Sequence, residues 1–96
     1  AVVHAHDAVV ILEAHPRAGS GRAVLYVNDA FCRMTGYDWD EVVGRSLHFL
    51  RGPGSDPESL GAIREAMAHG RPLQTELRNY RKDGAEFWVD LSLVPV

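Results

Sequence analysis

The sequence predicts an α+β domain in which an antiparallel sheet carries helices packed on one face, in the order ββαααββ. Three observations predict it. β-Branched apolar runs open the chain, period-two alternation closes it, and the stretch between them is punctuated by helix caps.

Ala8 to Glu13 is a short apolar run rich in valine and isoleucine and reads as the first strand. His15 to Arg22, rich in proline and glycine, reads as a loop, and Ala23 to Val27 as the second strand. Asn28 then opens a helix, because an asparagine side-chain oxygen accepts from the unpaired amides of the first turn. Ala30, Phe31 and Met34 give that helix an apolar face and Gly36 ends it. Asp38, with Glu41 three residues on, marks a capping box for a short helix over Trp39–Val43, which Gly44 stops.

Residues 45–55 read as irregular, with one helical turn at Leu47–Leu50. Ser55 or Asp56 caps the longest helix, which has Pro57 in its first turn. Leu60, Ile63 and Met67 recur on one side of it, so that side is expected to be buried, and Gly70 ends it.

Leu73 to Tyr80 alternates: Leu73, Thr75, Leu77 and Asn79 share one face, and Gln74, Glu76, Arg78 and Tyr80 the other. Asp83-Gly84 is a hairpin signal. Beyond it, Phe87, Val89, Leu91 and Leu93 point one way, and Trp88, Asp90, Ser92 and Val94 the other. A one-residue slip would invert every side chain, so this alternation fixes the faces.

The 96 residues fit one domain, residues 1–96. The net charge of −3 argues against a nucleic-acid surface, which would show a basic stripe. No apolar run approaches the ~18–20 residues of a membrane span, and no signal-peptide pattern opens the chain. A single cysteine, Cys32, excludes a disulfide framework and a multi-cysteine metal site, and a reducing, cytoplasmic setting is expected. No G-x-S-x-G, phosphate-binding P-loop or H-E-x-x-H pattern is present, so no enzyme is expected. Nor is a metal site, since His69 fits the last turn of its helix, where a histidine meets the dipole favourably.

Several segments resemble a known family when taken in order: Tyr26 to Phe31, Met34-Thr35-Gly36-Tyr37, Glu41 to Arg45, Phe49 to Pro53, and Asn79 to Gly84 followed by Phe87-Trp88. Together they resemble the LOV (light, oxygen or voltage) branch of PAS domains over about residues 8–96. The resemblance implies a five-stranded sheet and a helical cap enclosing an FMN, and a flavin adduct formed by a cysteine in a motif like G-R-N-C-R-F-L-Q. Gly44 to Arg51 is the matching stretch, and Leu47 stands at the cysteine position.

Carried over residue by residue, the resemblance puts His48 in place of a phosphate-binding arginine and keeps a second one as Arg64. Arg51 replaces the glutamine beside the ring. Asn79 keeps one of two asparagines at the pyrimidine edge, and Val89 replaces the other. Each unmade buried hydrogen bond costs a site ~1–3 kcal/mol. The expectation is therefore a pocket without cofactor, or weakly liganded, with FMN as the alternative.

The resemblance also implies a sensory module of a larger signalling protein, of histidine kinase or cyclic-di-GMP type. Trp88, Tyr80 and Asp90 lie on the sheet face away from the helices and are the expected contact surface for a second copy, a flanking helix or an effector domain. The final strand implied by the resemblance is absent from these residues. The first strand is thus expected to keep an unpaired edge open to dimerisation.

Overall fold

A computed structural model describes residues 5–15 and 22–96. The predicted loop His15–Arg22 therefore lies largely outside the described residues. The described elements are β1 (Ala5–Leu12), β2 (Val24–Val27), α1 (Asp29–Thr35), α2 (Trp39–Val42), a single 3-10 turn (Leu47–Leu50), α3 (Pro57–Ala68), β3 (Leu73–Tyr80) and β4 (Glu86–Pro95).

The caps act where the sequence places them. Asn28 Oδ1 accepts from the Phe31 amide at 3.1 Å and from the Val9 amide at 3.0 Å, so one side chain starts α1 and ties it to β1. Gly36 closes α1 with φ 80°, a left-handed conformation that favours glycine. The Asp38 amide donates to Glu41 Oε1 at 3.0 Å, and Asp56 accepts from the amides of Glu58 and Ser59 to open α3.

The four strands lie in the order β2-β1-β4-β3. The faces of β3 and β4 follow the alternation. Leu77, Asn79, Phe87, Val89, Leu91 and Leu93 are buried, while Trp88 is 37% exposed on the opposite face. In the core they meet Val10, Val24, Phe31, Val42, Leu50 and Met67. On α3, Met67 is buried, while Leu60 and Ile63 are only partly so.

Two expectations are corrected. The sheet is mixed rather than antiparallel throughout: β1–β2 and β3–β4 are antiparallel, but β1 runs parallel to β4, Ala8 beside Leu91 and Leu12 beside Pro95. Alternation fixes which face a side chain takes and is silent on the direction of the neighbouring strand.

The first strand also keeps no open edge. β1 is an inner strand, bonded to β2 on one side and β4 on the other, and the Val96 amide donates to the Leu12 carbonyl at 2.9 Å. Unpaired backbone groups are strongly driven to find partners, and β4 supplies them. The edges are β2 and β3.

Candidate functional site

The helical cap does not seal against the sheet. Between β1, the 3-10 turn and α3 lies a cavity of about 390 Å³, lined in part by Leu12, Leu47, His48, Arg51, Ile63 and Arg64. Arg22, Ser46 and Met67 complete its lining. Four of the sequence-predicted positions thus converge: Leu47, His48, Arg51 and Arg64.

Local structure explains the convergence. The 3-10 turn has three residues per turn, so Leu47 and Leu50 fall on the same side. Leu50 is buried in the core and Leu47 borders the cavity. His48 is exposed, and its Nδ1 lies 3.2 Å from Arg51 Nη1. With the guanidinium as donor, that nitrogen is the imidazole's acceptor. Partial burial, and secondarily the charge of Arg64, hold the Arg51 guanidinium below the ordinary arginine range.

The other two predicted pocket positions lie elsewhere. Val89 is buried in the core and borders neither cavity described here. Asn79 lines a second, smaller cavity of about 30 Å³ with Leu50, Leu60, Leu77 and Leu91. It is 4% exposed, and among the described residues no fully buried side-chain polar atom lacks a hydrogen-bond partner.

Leu47, Arg51 and Ile63 line both cavities, which therefore adjoin. This bears on the flavin that the resemblance implies. Arg64 lines the larger cavity and Asn79 the smaller one, and these are the two retained contacts. With Leu47 and Val89 apolar and His48 in place of an arginine, the residues present do not reproduce the full set of polar contacts that the resemblance implies for FMN.

Cys32 lies on α1, partly buried against the core, and borders neither cavity. Burial, then the charges of Asp29 and Asp38, push its thiol up and disfavour the reactive thiolate.

Sequence reasoning missed two participants. Arg22 reaches the larger cavity with its Nε donating to the Ala14 carbonyl at 3.0 Å. Tyr80, expected on the open sheet face, ties down the loop after the 3-10 turn. Its hydroxyl accepts from the Gly54 amide at 2.6 Å and donates to Glu86 Oε2 at 2.8 Å. A Cβ on Gly52 would stand 2.3 Å from Tyr80 Cε1, so only glycine lets the loop come this close. The Gly-x-Gly spacing at 52–54 was the available signal, but nothing in it named a partner so far along the chain.

On the face away from the helices, Trp88 carries the Arg78 guanidinium 5.0 Å above its ring, and Asp90 accepts from Gln74 Nε2 at 3.2 Å. Among the described residues no group of three or more metal-ligating side chains occurs, and no helix is long and apolar enough to cross a membrane.

Relatives share both sequence and fold. Phototropin-2 of Oryza sativa subsp. japonica is 47% identical over 73 residues, 76% of this chain and 8% of that protein. The blue-light-activated histidine kinase of Brucella canis is 42% identical over 73 residues, covering 15% of its own length. The chain thus spans a small fraction of the curated relatives it matches.

Among solved structures, the Erythrobacter litoralis EL346 blue-light activated histidine kinase superposes with a TM-score of 0.65 at 39% identity, over 70% of this chain and 21% of that one. The LOV domain of the same kinase gives 0.64 at 39% identity, over 69% of this chain and 61% of that one. Two hairpins joined in one sheet, a cap that leaves cavities beneath the 3-10 turn and α3, and a PAS domain profile that matches residues 7–96 agree: this chain belongs to the PAS domain family, with LOV domains among its relatives.

Proposed function

We propose that this domain is the sensing and pairing module of a larger signal-transduction protein, of histidine kinase or cyclic-di-GMP type, and that it works without a cysteinyl-flavin adduct. One observation carries the reading. Leu47 borders the cavity at the position where the resemblance requires a thiol, while the only cysteine, Cys32, lies on another helix with its thiolate disfavoured. A leucine side chain has no nucleophile to offer.

The output follows from the connections around the cavity. Occupancy displaces the 3-10 turn and its following loop, which Tyr80 couples to Glu86 on β4. Two register positions along, on the same face, Arg78 and Trp88 present that change on the open sheet face to a second copy, a flanking helix or an effector domain. The kinase names of the relatives support a kinase-type parent.

Intact-protein mass spectrometry in the dark and under blue light, with FMN supplied, tests the reading. No light-dependent mass gain of one FMN is expected, and such a gain would overturn it.

A second reading is favoured by Asn79. Its carboxamide, on a residue 4% exposed that lines the smaller cavity, suits the polar edge of a flavin in a protein that acts by photoreduction or redox change without an adduct. A flavin reaching both cavities would lie against Leu47, Arg51 and Ile63, which line both. FMN released by heat from a yellow preparation would select this reading.

A further inference from the structure

His48 is tied to the cavity wall by a contact that depends on its own charge. Its carbonyl accepts from the Arg51 amide at 3.1 Å, and its Nδ1 lies 3.2 Å from Arg51 Nη1. A guanidinium only donates, so the imidazole keeps the side-chain contact only while Nδ1 carries no proton. Protonation makes Nδ1 a donor and sets two cations against each other.

The surroundings do not compensate an imidazolium. Arg64 lines the same cavity from α3, Arg22 from the segment before β2 and Arg51 from the end of the 3-10 turn, while β1 contributes Leu12. No carboxylate of a described residue is in that lining. On the same turn, Phe49 carries a further cation, the Arg45 guanidinium, 4.5 Å above its ring. Burial first, and then the charge of Arg64, already hold Arg51 below the ordinary arginine range, so a cation at His48 adds to an existing repulsion.

The turn has one anchored end. Leu50 is 1% exposed in the core, and the chain beyond Arg51 is fastened where the Gly54 amide donates to the Tyr80 hydroxyl. At the other end Leu47 is only partly buried and His48 is exposed. A 3-10 turn has poorer hydrogen-bond geometry than an α-helix, and elements with few buried contacts open first.

We propose that His48 is a proton-operated latch on the 3-10 turn. Neutral, it accepts from Arg51 and holds the turn down. Protonated, it repels Arg51, and the turn swings about Leu50 and widens the cavity. Histidines ordinarily change charge between roughly pH 5 and 8, so the pocket answers to mild acid. The proposal rests on the reading of the domain as a pocket sensor, and it adds the proton as an input to that pocket.

Two-dimensional NMR of the full chain across roughly pH 5 to 8 is the test. The Nε2–H tautomer of His48 is expected at the alkaline end. The Arg51 amide and Ile63 methyl signals should follow the His48 imidazole with one midpoint. Exchange of the Arg51 amide, corrected for its intrinsic pH dependence, should be ~2–10-fold faster in the acid form, the factor that one lost neutral hydrogen bond supplies. His48→Gln should abolish the transition. His48→Lys should show the acid-form signals at the alkaline end, without titration of any other group. His69→Gln, which removes the contact with Glu65 at the C-terminal end of α3, should leave the transition intact.

The proposal is overturned if His48 holds the Nδ1–H tautomer, if Arg51 and Ile63 ignore its titration, if His48→Gln keeps the transition or His69→Gln loses it, or if His48→Lys matches the parent chain at the alkaline end. Failure here, with no light-dependent mass gain, would leave the adduct-free sensor reading standing. A light-dependent mass gain would remove that reading whatever His48 does.

Discussion

Around the β3–β4 turn, the helical cap is cross-wired to the sheet. Lys82 Nζ meets Glu41 Oε2 at 2.6 Å, the Lys82 amide donates to the Thr35 carbonyl at 2.8 Å, and Arg81 donates to the Met34 carbonyl at 2.8 Å while lying over Phe87. One edge-on ring contact, Tyr37 with Phe49 of the 3-10 turn at 4.8 Å, reaches from this region across the cap. Across the cap, where the 3-10 turn and α3 meet the sheet, the pattern reverses. Leu60 and Ile63 are only partly buried, guanidinium groups stand without carboxylates, and the loop is fastened through Tyr80. Regions with few buried contacts open at lower cost than the global unfolding energy. The difference teaches where this domain can respond: one shoulder holds the fold, and the other can rearrange around a ligand.

The contrast can be broken most directly by truncating the core on each side. Phe31, on α1, is 1% exposed, and Phe31→Ala should cost ~3–5 kcal/mol in urea unfolding. Ile63→Ala, beside the cavity, should cost less than about half of that, because the site is already partly open. Equal costs would erase the distinction between the shoulders.

The fastening at Tyr80 sharpens it. Gly52→Ala drives a methyl into the Tyr80 ring and should cost ~1–3 kcal/mol. Tyr80→Phe removes the hydroxyl shared by Gly54 and Glu86 and should cost ~0.5–1.5 kcal/mol, with faster amide exchange at Gly54. Unchanged exchange there would mean that the loop is held by something else.

The smallest effect belongs to the cross-wired shoulder and appears in pH dependence. The Glu41 carboxyl is held below its ordinary 4.5, by the Asp38 amide first and by Lys82 next. A depressed acid contributes stability that is present above its unfolded pKa and is lost as pH falls through the folded value. Lys82 is raised above 10.5, mainly by its hydrogen bond to Glu41, so its contribution is full below that pH and fades as pH rises through the folded value. Lys82→Met should therefore lower Tm slightly at neutral pH, flatten both limbs, and matter less in high salt, since both groups are exposed enough to be screened. A Tm difference that ignored pH between the two limits and beyond them would refute the assignment.

Much of the fold was legible because its signals are local. Asn28, Asp38 with Glu41, and Asp56 with Pro57 each announce a helix start within a few residues, and β4 reveals its faces by period two alone. The pairing of β1 with β4 was not legible, since neither strand carries a mark for its neighbour's direction. The site divided along the same line. Leu47, His48, Arg51 and Arg64 were assigned through the resemblance, and all four line one cavity. Asn79 and Val89 came from the same resemblance, but this packing sets them apart. Arg22 and the Tyr80 fastening were missed because they depend on contacts between distant parts of the chain.

The parallel β1–β4 seam has a consequence for how the molecule assembles. Each hairpin can form from neighbouring residues, but the seam must bring Ala8 to Leu91, nearly opposite ends of the chain, and no short turn can join parallel strands. Closing so long a loop carries the largest entropic cost in the sheet, and non-local pairings of this kind slow folding. The domain is thus two quickly made halves waiting on one slow join. Because β1 and the last strand complete each other, shortening either end of the described sheet would unmake both halves of that seam at once.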